Sequence, residues 1–213
     1  MNESGGQPFD TGTINSVSVD QVYVKDGRCL HRVLVTDEDP PPFVEDGQDV
    51  IANVEWVRRF DHMQQHSAQP LLCAMGTIHQ HGRLEKNAAM WSSCRWMEVK
   101  MGRTFKEKTL TFKEVMQKIE NDVNEAIVAG LATTPSFEKA GTDEWKNIAS
   151  KVNPKEMPEV MRIGTIEGLD VNPCCGTHVQ NLAQLRSLRV LHTEIARGAF
   201  RVWFVARFYA PVS

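Results

Sequence analysis

Phe60-Asp61-His62-Met63-Gln64-Gln65-His66-Ser67-Ala68-Gln69-Pro70-Leu71-Leu72 carries two histidines four residues apart and a proline four residues further on. Histidines at i and i+4 share one face of a helix, the arrangement that metal-binding helices use; the alternative is that both are surface histidines near a helix start, and His62 by itself reads that way more readily. Proline in a helix interior removes a backbone hydrogen bond and clashes with the preceding turn, at about 3 kcal/mol or more. The stretch therefore predicts that no single helix continues through residue 70. With Ser67 as the N-cap, Pro70 falls in the first turn, where its missing donor costs little. Leu71, Leu72, Ala74, Met75 and Ile78 then continue at helical spacing toward an exit at Gly82, and His66 lies just before the helix.

Upstream, Thr11 to Val35 reads as short strands. Val17, Val19, Val22 and Val24 are β-branched, and Lys25-Asp26-Gly27-Arg28 has the chemistry of a hairpin turn. Pro40-Pro41-Pro42 must be loop, and Asp46-Gly47 turns the chain into a further predicted strand, Val50 to Val57. These strands predict a small β-barrel-like domain over residues 1–58, with the boundary near Arg58 and Arg59.

Downstream, Thr111 to about Ala129 is a clear amphipathic helix. Phe112, Val115, Met116, Ile119, Val123 and Ile127 form one stripe, and Lys113, Glu114, Lys118, Glu120 and Glu125 lie on the other faces. Residues 133–158, rich in Thr, Pro, Lys and Glu, read as loop with one turn of helix at Asp143 to Ile148. Val160 to Ile163 reads as a strand, and Val190-Leu191 with Phe200 to Phe208 around Arg197-Gly198 reads as a terminal hairpin. The expectation is an α+β fold, with residues 59–213 forming a domain of antiparallel sheet and packed helices.

Composition narrows the function classes. At 213 residues, 41% hydrophobic and 24% charged, the chain can bury a real core. No stretch approaches the roughly 20 apolar residues of a membrane span, and the start lacks a charged-then-apolar leader, so the expectation is a cytoplasmic protein without membrane attachment. Five cysteines, an odd number, argue against a secreted disulfide scaffold. A net charge of −3 argues against a general nucleic-acid coating protein and gives no sign of DNA binding. The charge is uneven, however. Beyond residue 170, Arg186, Arg189, Arg197, Arg201 and Arg207 face the single acid Glu194, so these arginines are either solvated positions or a phosphate-contacting face.

The strongest chemical signal is Cys174-Cys175-Gly176-Thr177-His178. A thiolate and an imidazole four residues apart around a glycine bend can close on one borderline cation such as zinc. Alone, such a pair is more often a buried thiol beside an unrelated histidine.

Three stretches in order resemble one family, the stand-alone alanyl-tRNA editing proteins, whose module is also the editing domain of alanyl-tRNA synthetase and is related to that of threonyl-tRNA synthetase. Glu3-Ser4-Gly5-Gly6-Gln7-Pro8 with Asp10-Thr11-Gly12-Thr13-Ile14 is similar to the family's glycine-rich motif. Arg58 to Ser67 resembles the entry to its histidine helix, and Asn172 to Val179, with Asn181-Leu182, resembles its cysteine–histidine motif. Between about 73 and 158 the likeness is weak.

The resemblance implies a Zn²⁺ site held by His66, Cys174 and His178. At the family's fourth ligand position this chain has Pro70. Three arrangements follow: three protein ligands with an open position, His62 as a substitute fourth ligand after a backbone shift, or no metal at all. The implied reaction is hydrolysis of the ester joining a wrong amino acid, chiefly serine, to the 3′ end of alanine-specific tRNA, with water on the metal as the reacting group and no side chain singled out as catalytic. Gly5, Gly6, Gln7 and Thr177 are the candidate substrate contacts, the glycines because backbone can approach the acceptor end closely there. The rival expectation is a relative that binds tRNA or zinc without turnover.

Overall fold

The computed structural model describes residues 7–34, 46–78, 85–91, 94–100, 111–149, 158–196 and 199–207. Its contacts divide the chain into two units, Met1–His62 and Met63–Ser213. The fold is α+β, and among the described residues every paired strand is antiparallel.

In the first unit, β1 (Gly12–Ile14), β2 (Val17–Lys25), β3 (Arg28–Val33) and β4 (Ala52–Val54) form a sheet in the order β3-β2-β1-β4. Among the described residues this sheet is open and does not close into a barrel. Val17, Val19 and Val22 are its buried residues. The β2–β3 hairpin turns on Asp26 and Gly27, both at positive φ (50° and 73°), which is the two-residue turn whose twist matches the flanking strands. Gly12 sits where a Cβ would overlap the Asn53 carbonyl oxygen, so β1 and β4 approach as closely as they do only with glycine there. The strand predicted from Val50 to Val57 is shorter than expected. Pairing covers only Ala52–Val54, and Trp56 already opens α1, with Trp56 and Phe60 one turn apart and stacked at 5.7 Å.

The helix α1 (Trp56–Ile78) is 23 residues long and contains Pro70. This overturns the expected break: Ser67 lies in the helix interior, is no N-cap, and His66 is well inside the helix. Burial explains the outcome. Leu71, Leu72 and Met75 are 0%, 3% and 7% exposed, and at about 2 kcal/mol for each such side chain their burial outweighs the roughly 3 kcal/mol that an interior proline costs. Gln65 adds a further anchor: its amide accepts from the Ala206 N–H at 3.0 Å and donates to the Ala206 carbonyl at 2.9 Å.

Among the described residues the second unit holds two sheets. One has the order β10-β11-β6-β5, built from β5 (Glu85–Trp91), β6 (Cys94–Lys100), β10 (Leu188–Ala196) and β11 (Ala199–Ala206). The expected terminal hairpin is β10–β11, while its turn, Arg197-Gly198, lies outside the described residues, as do Gly82 and Pro40 to Pro42. The helix α2 (Phe112–Ala129) starts at Thr111, whose hydroxyl and backbone exchange hydrogen bonds with Glu114, and ends at Gly130 in the left-handed region. Its predicted stripe is buried at Val115, Met116, Ile119, Val123 and Ile127. Two polar residues tie α2 to β10. Glu120 accepts from the Arg189 guanidinium and the Val190 N–H, and Asn124 pairs with both backbone groups of Leu188.

The other sheet has the order β7-β8-β9, from β7 (Thr133–Lys139), β8 (Val160–Ile166) and β9 (Asp170–Pro173), with α3 (Asp143–Ala149) packed on it. The helical turn expected at Asp143 to Ile148 is α3, while the loop expected before it is instead the strand β7. β7 is a mostly polar and exposed edge strand, the position at which Pro135 is tolerated in a sheet. Ile148, Met161 and Ile163 with Trp145 form its core. No helix among the described residues is long and apolar enough to cross a membrane.

Candidate metal centre

His66 comes from α1, and Cys174 and His178 come from the segment that follows β9. Their donor atoms lie within 4.8 Å of one another. Cys174 Sγ is 3.4 Å from His66 Nε2 and 3.2 Å from His178 Nε2, and the two imidazole rings stack at 4.5 Å between centroids. Two donors sharing a tetrahedral zinc stand about 3.3–3.6 Å apart, given its bond lengths to sulfur and nitrogen. The set is one thiol and two imidazoles, a mixture suited to a borderline cation. These residues could hold a metal ion.

The surroundings fix which nitrogen of each ring faces the sulfur. His66 Nδ1 is 3.0 Å from the Thr177 carbonyl oxygen, which can only accept, so the proton sits on Nδ1 and the Nε2 lone pair faces Cys174. His178 Nδ1 is 3.1 Å from Ser67 Oγ, and the same hydroxyl accepts from the Val179 N–H at 2.9 Å. A second lone pair on that hydroxyl can accept from His178 Nδ1–H, which leaves Nε2 of this ring for the shared centre as well. Ser67, expected as a helix cap, thus works from the helix interior as the partner of an imidazole more than a hundred residues away.

The turn that carries Cys174 is shaped by glycine and arginine. Gly176 is buried, and a Cβ there would overlap the His66 ring. Arg162 on β8 donates from Nη1 to the carbonyls of Cys174 at 2.7 Å and Gly176 at 2.8 Å. Of the adjacent cysteines, Cys174 is partly buried in the cluster and Cys175 is exposed.

The other candidate residues fall elsewhere. His62 is buried, at 2% exposure, and is not a member of the cluster drawn from the described residues; among those residues its Nδ1 has no hydrogen-bond partner. Burial holds its imidazole below the ordinary range, with Arg58 adding to the effect and Asp61 opposing it. Gly5 and Gly6 lie outside the described residues, and Gln7 is fully buried. Beside Gln7, Asp10 forms a two-point ion pair with Arg59, and Arg58 donates to the Phe9 carbonyl while lying over the Phe9 ring at 5.7 Å. Burial alone would raise the Asp10 carboxyl, but Arg59 holds it below its usual range. Of the five late arginines, Arg189 and Arg201 are ion-paired with Glu120 and Glu194, and Arg197 lies outside the described residues.

Residues 160–202 match the second additional domain of threonyl and alanyl tRNA synthetases, a span that includes Arg162, Cys174 and His178. The chain is similar to the alanyl-tRNA editing proteins. It is 34% identical over 193 residues to the alanyl-tRNA editing protein Aarsd1 of Danio rerio and 34% identical over 192 residues to that of Mus musculus, covering 90% of this chain in both cases. It is 28% identical over 198 residues to an alanine–tRNA ligase of Methanococcus maripaludis, again over 90% of this chain but 20% of the ligase. The chain spans 43% of the length of the two editing proteins.

Ser67 and Arg162 are the contributors that sequence reading passed over. A hydroxyl directly after a candidate ligand histidine, and a lone charged residue in its strand, were the available signals.

Proposed function

We propose that the protein removes a wrong amino acid, chiefly serine, from alanine-specific tRNA by ester hydrolysis at a zinc centre held by His66, Cys174 and His178. The observation that carries this reading is the convergence of one thiol and two imidazoles, with both Nε2 atoms directed at the sulfur, in a relative of proteins named for alanyl-tRNA editing. Zinc held there would supply a Lewis-acidic positive charge beside the scissile ester. The chain's own residues do the rest: the Thr177 carbonyl and Ser67 hold the imidazoles in the ligating tautomer, and Gly176 leaves room for the His66 ring. Gly5, Gly6, Gln7 and Thr177 are the proposed substrate contacts. In this reading residues 59–213 are the editing domain and 1–58 the small β domain, acting on tRNA in the cytoplasm.

A separate editing step follows from pocket physics. A site shaped for a methyl side chain rejects one that merely adds a hydroxyl by only about a hundredfold, whereas a second site that hydrogen-bonds the hydroxyl can spare alanine.

Pro70 favours one alternative, a zinc or tRNA-binding module without turnover. The helix continues through residue 70, so the proline occupies the helical position four residues beyond His66 and offers no fourth ligand. Zinc content of the purified protein, measured together with release of serine from seryl-tRNA specific for alanine, separates the two. Bound zinc with serine release and spared alanyl-tRNA supports editing; bound zinc without release supports the binding module; a protein that binds no zinc overturns both metal readings.

A further inference from the structure

We infer that Arg162 is a positioning residue for the metal centre: by holding the carbonyls of Cys174 and Gly176 on one nitrogen it sets the direction of the Cys174 thiol. The inference rests on the metal reading of the site given above.

β9 ends at Pro173, and residues 174–176 leave the β8–β9 ladder. Carbonyls that leave a ladder need another donor, and Arg162 supplies it from a charged group, whose hydrogen bonds are stronger than neutral ones. Nη1 lies 2.7 Å from the Cys174 oxygen and 2.8 Å from the Gly176 oxygen, so one nitrogen ties the backbone on both sides of Cys175. The main chain adds a third tie, since the Cys174 N–H donates to the Arg162 carbonyl at 3.0 Å. Cys174 is thus gripped through both of its backbone polar groups by a single residue, at a nitrogen two bonds and an oxygen three bonds from its Cβ. Gly176, gripped by the same nitrogen, is the residue against which the His66 ring rests.

Strand alternation puts Arg162 where this is its task. Met161 and Ile163 are buried in the core of the small sheet, so Arg162 and Gly164 share its opposite face. A Cβ at Gly164 would lie 3.5 Å from His178 Nε2 and 3.9 Å from Cys174 Cβ. That face of β8 is therefore the floor under the cluster, and Arg162 is its charged end.

The test replaces Arg162 by Met, by Gln and by Lys in the full chain. Zinc affinity is read by competition with a chromophoric chelator, and ligand geometry by the thiolate-to-metal absorption of the cobalt(II) form. Thermal melting of the metal-free proteins reports the fold. Arg162→Met and Arg162→Gln are expected to bind zinc about 10–100-fold more weakly, the usual cost of losing an outer partner of a ligand, with an altered cobalt spectrum. Arg162→Lys, which keeps a cation able to reach the carbonyls, is expected to recover part of the loss. If Met or Gln, whichever is folded by melting, retains wild-type affinity and spectrum, the inference is overturned. Equal losses in all three variants, without recovery by Lys, also overturn it. Wild-type protein that binds neither zinc nor cobalt refutes the metal reading itself, a result distinct from the others.

Discussion

The imidazole of His66 occupies the space that a side chain on Gly176 would need: a Cβ built at 176 overlaps its ring. Two segments more than a hundred residues apart are thus fitted to each other at the position where the candidate ligands meet. Gly176→Ala must push the ring away from Cys174 or open the turn that Arg162 holds. The expected result is a loss of zinc affinity of about tenfold or more, with about 1–3 kcal/mol of destabilisation from overpacking. Chelator competition and urea unfolding measure the two effects, and wild-type zinc affinity would show that the close fit has no bearing on the metal.

The two neighbouring cysteines should behave in opposite ways. Cys174 lies in the cluster and Cys175 is exposed, so Cys174→Ala is expected to abolish stoichiometric zinc and any ester hydrolysis, while Cys175→Ala keeps both. Metal content by elemental analysis decides it. Unchanged zinc in the Cys174 variant would refute the ligand assignment.

Pro70 lends itself to two substitutions with separate readouts. Pro70→Ala restores a backbone donor to the turn and removes the ring clash. Against the roughly 3 kcal/mol cost of an interior proline stands about 1 kcal/mol that proline contributes by restricting the unfolded chain, so a net gain of about 2 kcal/mol is expected in chemical denaturation. Pro70→His places an imidazole one turn beyond His66 on a helix that already runs through this position, and is expected to tighten zinc binding. Equal or weaker binding would mean that the side chain at 70 does not face the metal.

His62 predicts a pH dependence. Burial keeps its imidazole neutral in the folded protein to a pH below the ordinary value of about 6.5, whereas the unfolded chain takes up its proton near that value. Between the two, the unfolded state binds more protons, so stability should fall as pH falls from about 6.5. His62→Gln should flatten that part of the profile in urea titrations at stepped pH. The carboxyl of Asp10, lowered by Arg59, acts in a different window: its contribution is present above the ordinary carboxylate range and is lost only as the pH drops through its own lower value. Asp10→Asn should therefore alter the acid limb below about pH 4 and leave the region near pH 6 unchanged. A slope near pH 6 that survives in the His62 variant would assign the effect to another group.

Some elements are written in short stretches of chain. Thr111 to Ala129 has the apolar stripe of its helix within itself, and Asp26-Gly27 carries the conformational preference of its turn, so both are found where local reading put them. The strand Thr133–Lys139 was not legible in this way. Its polar, proline-containing sequence has no strand preference of its own, and it is a strand because seven residues of β8 pair with it.

The candidate ligands, His66 with Cys174 and His178, and the proline at residue 70 could be read from motifs alone, because ligand chemistry belongs to individual side chains. Their meeting could not, since the sulfur and the first imidazole are 108 residues apart and come together only when α1 and the β9 turn pack. The course of α1 belongs to the same class. Within a few residues of Pro70 the local cost argues for a break, and the opposing energy resides in surfaces buried by distant parts of the chain. Local preference is a few kcal/mol at most, so where several side chains go fully out of water, packing overrides it.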